Sequence, residues 1–226
     1  MVDNPVIHSK IPNTTVYEKP ARRDISYRAI SGGSKIDSGG FAEVSVTTID
    51  DTRIAVKEPN VEGTVARETI DSFLEEAEVW AQLDDHEHIV NVIDWGSRSP
   101  WIALEYVDGG SLETRRAGGG FGTLEALWVG ICLSQAVQHA HRRGVVHLDL
   151  TPDNVLFQTT PDGQWDVPKI TDWGVSKRML EASDKVEGLT PNYAAPEQFD
   201  PDEYGNPDDF TDRFQLAVLV YEALTG

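Results

Sequence analysis

His147-Leu148-Asp149-Leu150-Thr151-Pro152-Asp153-Asn154, followed after a spacer by Asp172-Trp173-Gly174, is the stretch on which the reading of this chain turns. It sets an aspartate five residues before an asparagine and follows both with a second acidic triplet. Such a set supplies a carboxylate able to take a proton and hard oxygen ligands for a divalent cation. An Asp and an Asn so spaced are also common turn residues, so the weight falls on what surrounds them. Short strands are expected around Val145, Val155 and Ile170, flanking both acidic motifs. Upstream, after Gly109-Gly110, the texture is helical, with Thr123 as the expected N-cap. Leu124, Leu127, Trp128, Ile131 and Val137 would share one face of that helix, and Gly144 would end it. Downstream, an apolar helix begins near Asp212.

Toward the N-terminus the pattern is strand-like. Glu43 to Ile49 and Arg53 to Lys57, joined at Asp50-Asp51, read as a hairpin. Between about Thr64 and Leu83 the residues Phe73, Leu74, Ala77, Trp80, Ala81 and Leu83 recur near the helical period. Ile89 to Trp95 and Trp101 to Val107 complete a small sheet. Residues 1–30 carry Pro5, Pro12 and Pro20 with no sustained apolar period, which predicts an extended arm or linker.

Taken in order, these motifs resemble those of the protein kinase superfamily, and of its serine/threonine class, over residues 31–226. Ile36-Asp37-Ser38-Gly39-Gly40-Phe41-Ala42-Glu43-Val44 is similar to the glycine-rich loop, Ile54-Ala55-Val56-Lys57 to the third-strand lysine motif, and Glu75-Glu76-Ala77 to the helix that pairs with it. Leu104-Glu105-Tyr106-Val107-Asp108-Gly109-Gly110-Ser111-Leu112 resembles the interlobe hinge. The segment ending Gly188-Leu189-Thr190-Pro191-Asn192-Tyr193-Ala194-Ala195-Pro196-Glu197 resembles the substrate-docking end of a serine/threonine activation segment.

The resemblance implies an α+β, bilobal kinase-like fold: a β-rich N-lobe with one main helix over 31–107, and a mostly helical C-lobe over 108–226 that stops after its central helix. It implies ATP and Mg²⁺ as cofactors and a protein substrate offering a serine or threonine hydroxyl. Asp149 would be the base, and Asn154 and Asp172 the metal ligands. Lys57 would hold phosphates while Glu76 orients it, with Glu75 as the competing partner. Ile36, Gly39, Phe41, Val44, Ala55, Leu104, Glu105, Val107, Ser111 and Leu156 would line the nucleotide. Asp212 would cap the catalytic-loop backbone, Trp173 would pack on His147, and Thr190 would face the catalytic aspartate. Glu197 would lack an arginine that relatives supply from later helices, and the run Leu216 to Val220 with Leu224 would lack part of its cover.

Four positions depart from the family's pattern. Asp37 and Ala42 stand where the first and third glycines normally lie. Leu148 replaces an arginine that in many relatives pairs with a phosphorylated segment, so that control route would be absent. Thr151 replaces a lysine that helps hold the γ-phosphate, which removes one group from the transition state and predicts slow turnover. These departures motivate the rival reading, a nucleotide-binding pseudokinase or truncated scaffold.

Composition sets outer limits. With 39% hydrophobic residues in 226, the chain can bury a sizeable core. Its 38 acidic against 19 basic residues give a net charge of −19, a surface that repels nucleic acid and anionic membranes. Scarce lysine beside abundant aspartate also suggests adaptation to high salt. No apolar run is long enough to span a bilayer, and a cytoplasmic setting is expected. The single cysteine, Cys132 between apolar neighbours, is expected to be buried rather than reactive.

Overall fold

A computed structural model describes residues 7, 9–14, 20–38, 42–60, 67–83, 85–173 and 190–226. The chain divides into two units, one of Glu18–Asp85 with Val90–Tyr106 and a larger one of Met1–Tyr17, His86–Ile89 and Val107–Gly226. The architecture is mixed α+β.

In the smaller unit a short helix α1 (Tyr27–Ile30) precedes β1 (Ser34–Ser38), β2 (Ala42–Ile49) and β3 (Thr52–Pro59). Helix α2 (Arg67–Trp80), β4 (Val92–Gly96) and β5 (Trp101–Glu105) follow. The strands form one antiparallel sheet in the order β1-β2-β3-β5-β4. Asp50 and Asp51 make the two-residue turn between β2 and β3, with φ of 47° and 64°. That is the left-handed pair a tight hairpin demands, and aspartate tolerates it better than most residues.

Register then sorts the side chains. Val44 pairs with Lys57 and Lys57 with Ile102, while Val46 pairs with Ala55 and Ala55 with Leu104. Directly opposed and alternate residues share a face, so Val44, Ala55, Lys57 and Leu104 lie on one side of the sheet. Ile54, Val56 and Ala103 occupy the other side and join Ile25, Ile30, Ile93 and Trp101 in a buried core.

Within the arm expected over 1–30, residues 20–30 dock against the smaller unit. Ile25 and Ile30 are buried, the Ile25 N–H donates to Asp94 at 2.7 Å, and Asn91 donates to the Pro20 carbonyl at 2.7 Å. Two isolated apolar residues suffice to dock this segment, and they are too few to show a period.

The larger unit holds α3 (Leu112–Ala117), α4 (Thr123–His141), a 3₁₀ turn at Pro152–Asn154, and the hairpin of β6 (Val155–Gln158) with β7 (Val167–Ile170). Short helices α5 (Pro196–Phe199) and α6 (Pro201–Tyr204) lead into α7 (Asp209–Thr225). His86–Ile89 belongs here rather than with the first sheet, because the Ile170 N–H donates to the His88 carbonyl at 2.9 Å and Ile89 bridges Ile170.

Three local expectations change. Gly122, not Thr123, is the N-cap of α4. Leu124, Leu127 and Ile131 are 53%, 46% and 57% exposed, while Ala126, Val129, Leu133, Ala136 and Ala140 form the buried stripe. Helix α4 is apolar around most of its circumference, so periodicity alone could not choose the face. No strand forms at Val145: its N–H closes the end of α4 on the Ala140 carbonyl, and the N–H groups of His147 and Leu148 turn to a side chain described below.

Helix α7 starts at Asp209, three residues ahead of the expected start, because Asp208 caps it by accepting from the Phe210 N–H at 2.8 Å. Its burial is inverted in the first turns: Thr211, Asp212 and Gln215 are buried, whereas Phe210 and Phe214 are 63% and 43% exposed. Farther along, Leu219 is buried and Leu224 is 40% exposed. Glu197 is not left without a partner, since the Thr211 hydroxyl donates to it at 2.6 Å. Cys132 is buried, and burial together with the nearby Glu87 charge pushes its thiol up to about 12, which keeps it from forming a thiolate near neutrality.

Candidate active site

Why α7 buries polar residues is answered by what they hold. Asp212, fully buried, accepts from the His147 N–H at 2.8 Å and the Leu148 N–H at 2.7 Å, and His141 Nε2 donates to it at 2.7 Å. One turn on, Gln215 accepts from the Leu150 N–H at 3.0 Å and donates to the Leu148 carbonyl at 3.2 Å. The loop that carries Asp149 is thus fixed by side chains rather than by a ladder. Leu148 itself is fully buried with φ of 62°, a left-handed backbone costing roughly 1–2 kcal/mol for a residue with a Cβ. Such strain persists only where neighbours over-determine it.

From this frame Asp149 meets Asn154. The Asn154 amide nitrogen donates to the Asp149 carbonyl at 2.8 Å and to its carboxylate at 3.3 Å. That commitment of the nitrogen leaves the amide oxygen as the Asn154 atom for a cation. The Thr171 N–H donates to the Asn154 carbonyl at 3.0 Å, which ties the residue before Asp172 to the same loop. His147 closes the arrangement: its Nε2 faces the Thr171 carbonyl at 2.9 Å and so carries the proton, while Nδ1 accepts from the Asp149 N–H at 3.3 Å. Trp173 stacks edge-on against His147 with ring centroids 4.9 Å apart. Asp172, with φ of 62°, is the second strained residue of the site.

Among the described residues no group of three His, Cys, Asp or Glu side chains is placed to hold a metal. Asn154 and Asp172, the residues the resemblance assigns to Mg²⁺, carry oxygen donors of the kind a hard cation takes, one or two from protein with phosphate and water completing its shell.

The smaller unit brings a separate pair together. Lys57 Nζ lies 2.9 Å from Glu76, both side chains nearly buried, while Glu75 points to solvent. With Val44, Ala55 and Leu104 on the same face of the sheet, the lysine stands in an apolar surround. Ile36, in the middle of the edge strand β1, is 55% exposed, while Gly39 and Phe41 lie outside the described residues. The Glu105 N–H is committed to the Asn91 carbonyl at 2.9 Å, and its carboxylate accepts from the Asn91 N–H at 3.1 Å.

In the larger unit Val107 is half-buried, and Ser111 caps α3 by accepting from the Thr114 N–H and bridges to Leu156. Gly109 donates to the Phe157 carbonyl at 2.7 Å, and a Cβ there would come within 2.4 Å of that oxygen. Only glycine fits so close an approach.

The protein kinase domain family matches residues 30–226. The chain belongs to the protein kinase family. It is similar to the serine/threonine-protein kinase PknK of Mycobacterium tuberculosis, 32% identical over 200 residues, which cover 85% of this chain and 17% of that protein. It also resembles the serine/threonine-protein kinase Pkn1 of Myxococcus xanthus, 34% identical over 186 residues, 77% of this chain and 25% of the relative. The chain therefore spans a quarter or less of the length of these relatives. Among solved structures it is similar to Rad53 residues 1–466 in complex with AMP-PNP, with a TM-score of 0.64, 27% identity, and coverage of 87% of this chain and 49% of that one.

Sequence reasoning placed Asp212 in this kinase site but missed Gln215, Gln198 and His141. The one signal for Gln215 is a glutamine interrupting the apolar run three residues after Asp212.

Proposed function

We propose that the chain is the catalytic domain of a serine/threonine protein kinase, transferring the γ-phosphoryl group of ATP to a protein hydroxyl. The observation that carries this reading is the Asn154 amide clasping Asp149 inside a loop whose backbone is held by α7. That the matched relatives are serine/threonine kinases, and that the similar structure holds an ATP analogue, supports it.

Phosphoryl transfer asks the protein for position and charge more than for covalent chemistry. Lys57, oriented by Glu76, holds the α and β phosphates. Asp149 orients the acceptor hydroxyl and takes its proton. Asn154 and Asp172 supply oxygens to Mg²⁺, which when bound neutralises charge on the phosphates. The apolar face with Val44, Ala55 and Leu104, and the Glu105 backbone, are assigned to the adenine in the smaller unit; Val107, Ser111 and Leu156 are the nucleotide contacts assigned in the larger one. Ile36 is assigned to the phosphate side of the nucleotide.

The rival, a protein that binds nucleotide without turnover, draws on Thr151, which is 5% exposed and supplies no cation where relatives have one. Calorimetry separates the two. Mg²⁺ is expected to tighten ATP binding, and Asp172→Asn to remove the Mg²⁺-dependent part. Equal affinity with Mg²⁺ and with EDTA would favour the rival.

No helix among the described residues is long and apolar enough to cross a membrane. We read the cytoplasm as the setting and the −19 charge as an adaptation to high salt. Near 1 M salt the screening length falls to about 3 Å, so the melting temperature is expected to rise along a KCl series. A melting temperature that stays flat would remove the salt reading and leave the kinase reading intact.

A further inference from the structure

Beyond the aspartate of α7, a closed network of two glutamine amides grips the loop that carries Asp149. Gln215 is 1% exposed and Gln198 7%. Gln198 donates to the Leu148 carbonyl at 2.8 Å and accepts from the Ala195 N–H at 3.0 Å. Gln215 donates to the same carbonyl and to Gln198 Oε1 at 3.0 Å, and accepts from the Leu150 N–H. Three properties follow from these contacts. The side chain of Gln215 holds the backbone on both sides of Asp149, the carbonyl before it and the N–H after it. The carbonyl it shares with Gln198 belongs to Leu148, the strained residue at φ 62° whose relaxation would carry Asp149 with it. Gln198 sits on α5 at the end of the 190–199 segment, so the position of the loop depends on that segment being docked.

We propose that Gln215, with Gln198 as its partner, is a positioning residue for catalysis: a neutral amide clamp that holds Asp149 in register and couples it to the docked 190–199 segment without any charged or phosphorylated group. The proposal rests on the kinase reading above. The clamp needs both a donor and an acceptor on one side chain at position 215, which separates a positioning role from mere filling of space.

Gln215→Glu keeps the shape and, when ionised, loses the donor and sets a charge against two carbonyl oxygens. At pH 8 its kcat is expected to fall about 10- to 100-fold, the scale of a displaced catalytic group, with the KM for ATP unchanged. Burial and the facing oxygens raise the carboxyl pKa above its ordinary value. Lowering the pH to 6 therefore protonates it, restores one donor beside the acceptor, and should raise the activity of the variant relative to wild type. Gln215→Met, neutral at every pH, should show a comparable loss with no pH recovery, and it carries the test alone if the charged variant does not fold. Wild-type kcat in both variants at pH 8, or a loss in Gln215→Glu that is flat with pH while the variant is folded, overturns the clamp. A wild-type enzyme that transfers no phosphate overturns the kinase reading and the clamp together, whereas an active wild type with indifferent variants overturns the clamp alone.

Discussion

Replacing Asp149 by asparagine is expected to lower kcat for phosphoryl transfer by about 10²- to 10⁴-fold, the usual worth of a positioned general base. ATP affinity should hardly change. The asparagine keeps the shape and still reaches the Asn154 amide, which donates mainly to the Asp149 backbone carbonyl at 2.8 Å. The backbone of the loop is held at Leu148 and Leu150 by Asp212 and Gln215, neither of which touches the carboxylate of Asp149. What the substitution removes is the carboxylate assigned to take the proton. Steady-state kinetics paired with nucleotide titration checks this. Parallel loss of binding and turnover would make Asp149 a structural residue.

The second large effect is on stability. Asp212→Ala should cost about 3–5 kcal/mol, the range for breaking a buried charged network by removing one partner. Two buried N–H groups, of His147 and Leu148, and the His141 ring would lose their acceptor at once. Against a total of about 5–15 kcal/mol for a domain, such a loss approaches unfolding at ordinary temperature. Urea denaturation of the two proteins measures it. Asp212→Asn offers a milder comparison, since one oxygen remains to accept while the amide nitrogen faces a donor. A midpoint for Asp212→Ala within the error of wild type would show that the loop finds other partners.

Much of the fold was legible because the motifs are local. The Asp50-Asp51 turn, the Lys57 strand and the helix of Glu76 each declare themselves within a few residues. The choice of Glu76 over Glu75 needed only the helical period to be resolved by packing. The illegible parts depend on distant partners. Leu124, Leu127 and Ile131 look like core residues, yet the buried face of α4 is set by where Gly130 lets Val220 approach, with an added Cβ only 2.9 Å from the valine. Residues 20–30 look like linker because Ile25 and Ile30 dock singly. Gln198 leaves no trace in the sequence and Gln215 only its place among apolar neighbours, because glutamine itself carries no sign of burial and their work is defined by a carbonyl on another element.

The central claim is that the residues around Asp149 transfer phosphate rather than only bind nucleotide. The most direct measurement incubates the protein with γ-labelled ATP, Mg²⁺ and a generic protein substrate, with Asp149→Asn in parallel, and identifies the labelled amino acid after acid hydrolysis. EDTA-sensitive label on serine or threonine, abolished by the substitution, is the expected result. Bound ATP with no label above the Asp149→Asn control, even at high enzyme concentration, would contradict it.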